Sequence, residues 1–528
     1  MKRWSSLTSQ FAISALLVTP ALVSAAQNAI PLEPATMPAV GTVDPRFESY
    51  NVEMIEITGG RFWAPYKHST NAPVDTAQPA PGDMLASLYR YRPPLDLGNP
   101  QLRKLAAALG PAYIRVSGTW ANSTFFQDSD EPAPAKPPAG FNGVLTRPQW
   151  RGVVDFARAV DAEIVTSFTV SQGVRDADGI WTPREAQKIL DYTRSIGGTI
   201  ASAEFFNEPT FAALGGAPKG YNAADYGRDF RAFHDFLKKA APSIEILGPG
   251  GIGEAQSLGP APGMQLLHSE NLLRAQGPGL LDAFSYHFYG GVSQRCARMG
   301  AGAAGTTPEA ALSDAWLART DRDEAFYATL RDQFAPGKPL WLTETGETAC
   351  GGDPWASDFI DSFRYLNQLG SLARRGVKVV MHNTLDASDY ALLDESTLAP
   401  RPDYWSALLW RRLMGTTVLD PQSSSQPGLR LYAHCLRNHP GGVAVLAINA
   451  DKTIAHDLSL HAKSTRYVLT SQDLMSPTVQ LNGVELALTG SGDLPALNGA
   501  TQAAGDIQLA PASITFLAVP GAHNAACR

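Results

Sequence analysis

Only four of the 528 residues are cysteine, and neither CxxC nor HxxxH spacing occurs, so a thiolate or histidine metal site is not expected. Positive charge is also scarce: 43 Lys and Arg face 50 Asp and Glu, a net charge of −7. That balance speaks against the basic stripe of a nucleic-acid or general polyanion binder. After the first two dozen residues no apolar run reaches the ~20 residues of a spanning helix, so no membrane span is expected. A fixed-period repeat is missing as well, against a solenoid or propeller. Nothing in the pattern calls for a cofactor.

What is present describes a large globular protein. Hydrophobic residues at 44% and charged residues at 18% leave ample material for a core, and the length suits one large catalytic domain with a smaller companion. Residues 1–26 read as a secretory signal: Lys2 and Arg3, an apolar stretch from Phe11 to Val23, then Ser24-Ala25-Ala26 before the cleavage point. Pro20 and the short apolar stretch argue against a membrane anchor. Export outside the cell or to a periplasm follows.

Between residues 51 and 415, short β-rich apolar runs alternate with helical stretches, the pattern of an α/β (β/α)8 TIM barrel. Eight runs predict its strands: Val52–Thr58, Ala112–Ser117, Glu163–Val170, Ile200–Asn207, Ile244–Gly248, Ala283–Tyr289, Leu340–Glu344 and Val377–Asn383. Helical stripes such as Leu102, Leu105, Ala106 and Leu109, or Phe359, Phe363, Leu366 and Leu369, are its packing surfaces. The Pro-rich stretch from Glu131 to Gly140 reads as an exposed loop. From 416 to 528 alternating runs (Leu429–His434, Val443–Asn449, Tyr467–Ser471, Ser513–Val519) predict a β-sandwich, to which the 27–50 lead-in can lend a strand. In an exported chain four cysteines permit two disulfides in three connectivities. Cys435 and Cys527 share the β-rich tail, and Cys296 and Cys350 each follow a predicted barrel strand, which favours Cys435–Cys527 and Cys296–Cys350.

A barrel of this kind builds its site at the C-terminal ends of the strands, so a polar residue closing an apolar run is a catalytic candidate. Asn207-Glu208-Pro209 closes the fourth run and Glu344 the seventh. Two carboxyl groups across the mouth are what glycoside hydrolysis needs, one protonated to assist the leaving oxygen and one ionised to attack or stabilise. Either glutamate alone would be an ordinary surface residue after a strand; together they predict Glu208 as general acid/base and Glu344 as nucleophile. Phe205 and Phe206 are expected to help keep Glu208 protonated, and Asn207 to orient it or bond a sugar hydroxyl. Glu347 competes with Glu344 but lies beyond the strand end.

A series of segments in fixed order resembles glycoside hydrolase family 79, the heparanase and β-glucuronidase family. It runs through Pro111-Ala-Tyr-Ile-Arg-Val-Ser-Gly-Thr119, Asn207-Glu208-Pro209, Trp341-Leu-Thr-Glu344-Thr, Pro402-Asp-Tyr-Trp405 with Gly415, Leu431-Tyr-Ala-His-Cys435, Val479-Gln-Leu-Asn-Gly483 and Ala525-Ala-Cys527. The resemblance implies the same two catalytic roles, Arg115 as the guanidinium that holds the nucleophile ionised, and His287 and Tyr289 beside sugar and nucleophile. It further implies sugar contacts at Glu56, Thr119 and Asn383, and a Cys350-Gly351-Gly352 loop whose N–H groups receive a uronic carboxylate. Where a heparanase tyrosine is expected, Ala349 or Cys350 stands here; the excised segment of animal heparanase is replaced by the short loop after Phe126, and the basic clusters at its cleft are missing. The expected activity is therefore that of a secreted exo-β-glucuronidase acting on a glucuronide or glycosaminoglycan-type carbohydrate. The alternatives are an endo-acting heparanase and, more distantly, a noncatalytic carbohydrate-binding protein. Oligomeric state is not legible.

Overall fold

The computed structural model describes residues 29–66, 88–255, 266–298, 305–423 and 426–528, with Met1 and Gly300. The remainder of the expected leader lies outside the described residues.

Eight parallel strands close into a barrel. They are β1 (Glu48–Glu53), β2 (Ala112–Ser117), β3 (Ala162–Ser167), β4 (Ile200–Glu204), β5 (Glu245–Gly251), β6 (Ala283–Tyr289), β7 (Leu340–Gly346) and β8 (Val379–His382). Each pairs with the next in sequence, and β8 closes on β1 with Val380 opposite Glu48 and His382 opposite Tyr50. The predicted second and sixth strands coincide with the observed ones; the others shift by a few residues at one or both ends.

The first strand needs a larger correction. Val52–Thr58 alternates well enough to read as a strand, yet the strand ends at Glu53 and Met54–Thr58 is a helical turn. The Glu56 carboxylate accepts a 2.6 Å hydrogen bond from the Glu53 N–H, which caps the turn from its third position. Gly59, at φ 73°, ends it.

Alternation along the strands layers the barrel interior. Tyr113, Val165, Leu247, Ala283, Trp341, Val379 and Met381 form an apolar plug. Two residues further along β2, β6 and β7 the inward positions become polar: Arg115, Ser285 and Thr343, all buried. Between β6 and β7 the register slips, so that Tyr286 faces Leu342 but His287 faces Glu344. This irregularity brings Glu344 as well as Thr343 toward the mouth, a use bulges commonly serve beside active sites.

Apart from two short pairs, Gly60–Trp63 with Tyr89–Arg92 and Thr124–Gln127 with Gly143–Thr146, the remaining described strands form two sheets. One runs from Ala39–Thr42 through Met414–Leu419, Leu429–Leu436, Val443–Asn449 and Ser513–Val519 to Ser464–Thr470. The other sets Ile30–Leu32 beside His456–Leu460 and Gly505–Leu509. A separate cluster including Leu32, Leu419, Val445, Leu458, Leu509 and Leu517 packs their apolar residues together. The lead-in thus supplies one strand to each sheet. Both disulfides are those favoured by position, Cys296–Cys350 and Cys435–Cys527.

Candidate active site

Arg115 organises the barrel mouth. Fully buried, it donates to Glu344 Oε2 through Nη1 at 2.8 Å and to Glu204 Oε2 through Nε at 3.0 Å and Nη2 at 2.8 Å. Nη2 also meets Asn207 Oδ1 at 2.8 Å and His287 Nε2 at 3.2 Å. A guanidinium can only donate, so Nε2 of His287 is the acceptor and Nδ1 carries the hydrogen. That Nδ1–H reaches Glu208 Oε1 at 3.2 Å and lies 3.7 Å from Glu344 Oε2. Burial pushes His287 down to about 4, so the ring is a neutral bridge between the two glutamates.

The paired carboxyl groups differ in environment. Loss of water around Glu208, reinforced by the charge of Glu204 and opposed by Arg115, raises it to about 7. Glu344 instead sits in an ion pair with Arg115 and accepts from the Tyr289 hydroxyl at 2.9 Å. Glu208, His287 and Glu344 bring donor atoms within 4.8 Å of one another, which places the two carboxyls on the short side of the separations used by glycosidases. A cation could be held by the same three residues, but it would sit against Arg115, which already supplies the compensating charge.

Glu208 reaches this position through its backbone. At φ 50° and ψ 60° it is left-handed, and the residue before it is held at both edges by Asn122. The Asn122 amide donates to Asn207 O at 2.9 Å and its carbonyl accepts from Asn207 N at 2.8 Å. The rings of Phe205 and Phe206 do not form the pocket of Glu208; they pack with Trp181, Tyr226, Phe230 and Phe233 in the layer around the barrel. Burial at the mouth, not these rings, raises the Glu208 pKa.

On the far side of Glu344, Asn383 Nδ2 donates to Tyr289 Oη at 2.9 Å, Tyr390 Oη at 3.2 Å and Glu53 Oε1 at 3.2 Å. Here the expected Glu56 is replaced by Glu53. Glu56 is buried on the helical turn and spends an oxygen on the Glu53 N–H; Glu53, at the true strand end, turns toward the site. Burial and the charge of Glu344 raise Glu53 well above the usual carboxyl range. A Cβ at Gly118 would meet Glu53 Oε2 at 1.5 Å, so glycine there is what admits the carboxyl. Glu53 Oε2 and Asn383 Oδ1 are buried without a protein partner, ready for a ligand hydroxyl. Thr119 starts a short helix just beyond, half-buried, with no side-chain hydrogen bond among the described residues.

The expected carboxylate loop has Cys350, Gly351 and Gly352 all left-handed, at φ 68°, 84° and 83°. The N–H of Gly352 is committed to Thr348 O at 3.2 Å, which removes it from the expected set of receivers. Those of Cys350 and Gly351 have no acceptor among the described residues. Glu347 lies behind the loop, bonded to Thr348 and to the Asp353 N–H. Its role is to shape the turn.

Glu204, Glu53, Tyr390 and Asn122 were not singled out from the sequence. Glu204 had a signal, at the end of β4 and four residues before Glu208; burial opposes its ionisation, but Arg115 and the hydrogen bond from Thr343 outweigh it and lower its pKa.

Comparison with known proteins places this arrangement. Residues 92–370, just over half of the chain, match the pattern described as "Glycosyl hydrolase family 79, N-terminal domain". Heparanase-like protein 1 of Arabidopsis thaliana is 28% identical over 491 residues, covering 82% of this chain and 86% of its own. Baicalin-beta-D-glucuronidase of Scutellaria baicalensis is 27% identical over 476 residues, covering 81% and 84%. The structure of a 4-O-α-L-rhamnosyl-β-D-glucuronidase from Fusarium oxysporum superimposes with a TM-score of 0.61 at 13% identity, over 93% of this chain and 100% of that one, a likeness of fold.

Proposed function

The chain belongs to glycosyl hydrolase family 79, and from that premise we propose that it is a secreted, retaining exo-β-glucuronidase with Glu344 as nucleophile and Glu208 as acid/base. The observation that carries the reading is the short approach of the two glutamates, bridged by neutral His287. In the first step a Glu344 oxygen attacks the anomeric carbon while Glu208 gives its proton to the departing glycosidic oxygen. In the second, Glu208 takes a proton from water, the resulting hydroxyl attacks the anomeric carbon, and the ester bond to Glu344 breaks. The free N–H groups of Cys350 and Gly351 suit a uronic carboxylate, and Glu53 with Asn383 suits ring hydroxyls. The relative named baicalin-beta-D-glucuronidase supports glucuronic acid as the sugar removed.

Exo action is supported by a wall beside that loop. A Cβ at Gly351 would meet Trp63 Cβ at 2.6 Å, and residues 64–66 beyond it are held by Tyr66 N–H to Asp389 and by Arg295 stacked 3.8 Å from the Tyr66 ring centroid. Extension of a polymer past the uronate would run into this segment. The test is release of aryl alcohol from p-nitrophenyl β-glucuronide against the matching β-glucoside and β-xyloside, with heparan sulfate alongside and Glu344→Gln as control. Hydrolysis of the glucuronide is expected, with the glucoside and xyloside turned over far more slowly and heparan sulfate left intact. An inert aryl glucuronide with depolymerised heparan sulfate would replace the exo assignment by an endo one.

A further inference from the structure

Two adjoining cavities lie at the other end of the barrel. The helix Pro402–Leu413 ends beside the sandwich, and its Arg411 donates to Pro45 O and Glu48 O, at the start of β1 and away from the mouth. Next to it, a cavity of about 360 Å³ is lined by Arg412, Arg437, His439 and Tyr467 over an apolar floor that includes Leu413 and Leu497. A second cavity of about 240 Å³ shares Leu436 and Arg437 with the first. The first volume falls in the ~300–1,000 Å³ range of small-ligand sites.

The charge in the walls of the first cavity is uncompensated. Its lining contains no Asp or Glu, in a chain whose net charge is −7. Among the described residues Arg412 and Arg437 make no ion pair. Arg437 gives Nη2 to Met414 O at 2.9 Å, but its Nε is buried with no partner. Burial and the neighbouring Arg411 push Arg437 below its usual value, with only Glu48 opposing. Glu48 is engaged by Arg411 and is itself raised to about 7 by burial. A buried guanidinium N–H without an acceptor, beside a second arginine at a cavity wall, suits an anion. The half-buried Tyr467 ring, whose hydroxyl has no partner among the described residues, adds a face and a polar tip of the kind that receives a sugar.

We infer that this cavity binds an acidic group of a glycan chain, a carboxylate or sulfate, with the attached sugar against Tyr467, and so holds an acidic polymer away from the catalytic mouth. The choice of glycan as ligand rests on the β-glucuronidase reading; the anion site itself does not.

The experiment compares Glu344→Gln with Glu344→Gln/Arg412→Glu/His439→Glu by calorimetric titration with a hyaluronan hexasaccharide, cellohexaose serving as the neutral control and sodium sulfate as the free anion. Arg412 and His439 are exposed, so the triple variant is expected to fold, which its melting curve checks. The expected result is one bound hexasaccharide fewer in the triple variant, with that site weakening at least tenfold between low and 0.5 M salt, roughly as screening predicts, and no cellohexaose bound there. Equal stoichiometry in the two proteins overturns the proposal. So does sulfate filling the site at the same concentration as the hexasaccharide, which would make it a free-anion site. Turnover of aryl glucuronide by Arg412→Glu/His439→Glu, with Glu344 intact, is expected to be unchanged. Loss of that turnover in the unmodified protein would remove the β-glucuronidase reading while leaving the stoichiometry difference to be judged alone.

Discussion

Asn122 holds Asn207 by both edges of one amide, accepting its N–H at 2.8 Å and donating to its carbonyl at 2.9 Å. The Asn122 backbone carbonyl in turn accepts from Val170 N–H, Ser171 N–H and the Thr169 hydroxyl, so one buried residue ties together the ends of β2, β3 and β4. Because Glu208 follows Asn207 in a left-handed conformation, this tie sets the direction of the acid without touching it.

Asn122→Ala should therefore reduce proton donation more than sugar binding. A poor leaving group depends on the acid and a good one much less. The expected loss in kcat/KM is about 100-fold on an alkyl glucuronide and about tenfold or less on p-nitrophenyl glucuronide, with KM nearly constant. Equal losses on both substrates in a protein of unchanged melting temperature would show that Asn122 only supports the fold.

The raised pKa of Glu208 gives both an activity limb and a stability limb. Glycosylation requires the protonated form, so turnover should fall as pH rises through about 7. For stability the folded state binds the proton more tightly than the unfolded chain. The group is therefore neutral to folding below the ordinary carboxyl value of 4.5, becomes destabilising as pH rises toward 7, and remains so above it. The full effect is of order 3 kcal/mol. Glu208→Gln should then melt higher than the unmodified protein at pH 8 and nearly equal to it at pH 4.5, while losing activity on unactivated substrates. A uniform offset across pH would assign the stability change to something other than this proton.

The barrel was legible because its strands are buried on both faces and bounded by turn signals, and Glu208 and Glu344 because each closes a run. What was lost traces to features that strand periodicity does not encode. Glu56 and Glu53 exchange places because a carboxylate three residues on caps a helical turn inside what reads as alternation. Glu344 faces the mouth beside Thr343 only through the slipped register with β6. Asn122 sits in a short helix after β2, and only tertiary structure brings it to Asn207. The Gly351–Gly352 loop was foreseen as a loop, but not that Gly352 would spend its N–H on Thr348.

Glu204 tunes the acid at a distance. Its charge is one of the causes that raise Glu208, and it also absorbs part of Arg115, which pulls the other way. Glu204→Gln removes the first influence and strengthens the second, so both lower the Glu208 pKa. The basic limb of the kcat profile should move to lower pH by about 0.5 to 1 unit. A limb that stays in place while activity falls would mean that Glu204 serves only to position Arg115.

The two disulfides should separate stability from function. They close loops of 54 and 92 residues, and because loop entropy grows only with the logarithm of length, removal of either is expected to cost a similar ~2–5 kcal/mol. Cys435–Cys527 lies in the sandwich, so Cys435→Ala/Cys527→Ala should lower the melting temperature and leave aryl glucuronide kinetics unchanged. Cys296–Cys350 anchors the first residue of the loop assigned to the uronic carboxylate, whose left-handed turn offers the N–H groups of Cys350 and Gly351. Cys296→Ala frees that loop while retaining Cys350 in place. KM for the glucuronide should then rise about tenfold with a smaller change in kcat, since the interaction lost is made equally in ground and transition states. A β-glucoside, lacking the carboxylate, provides the discriminating comparison. If its slow turnover falls in parallel with that of the glucuronide, the loop is not what reads the acid.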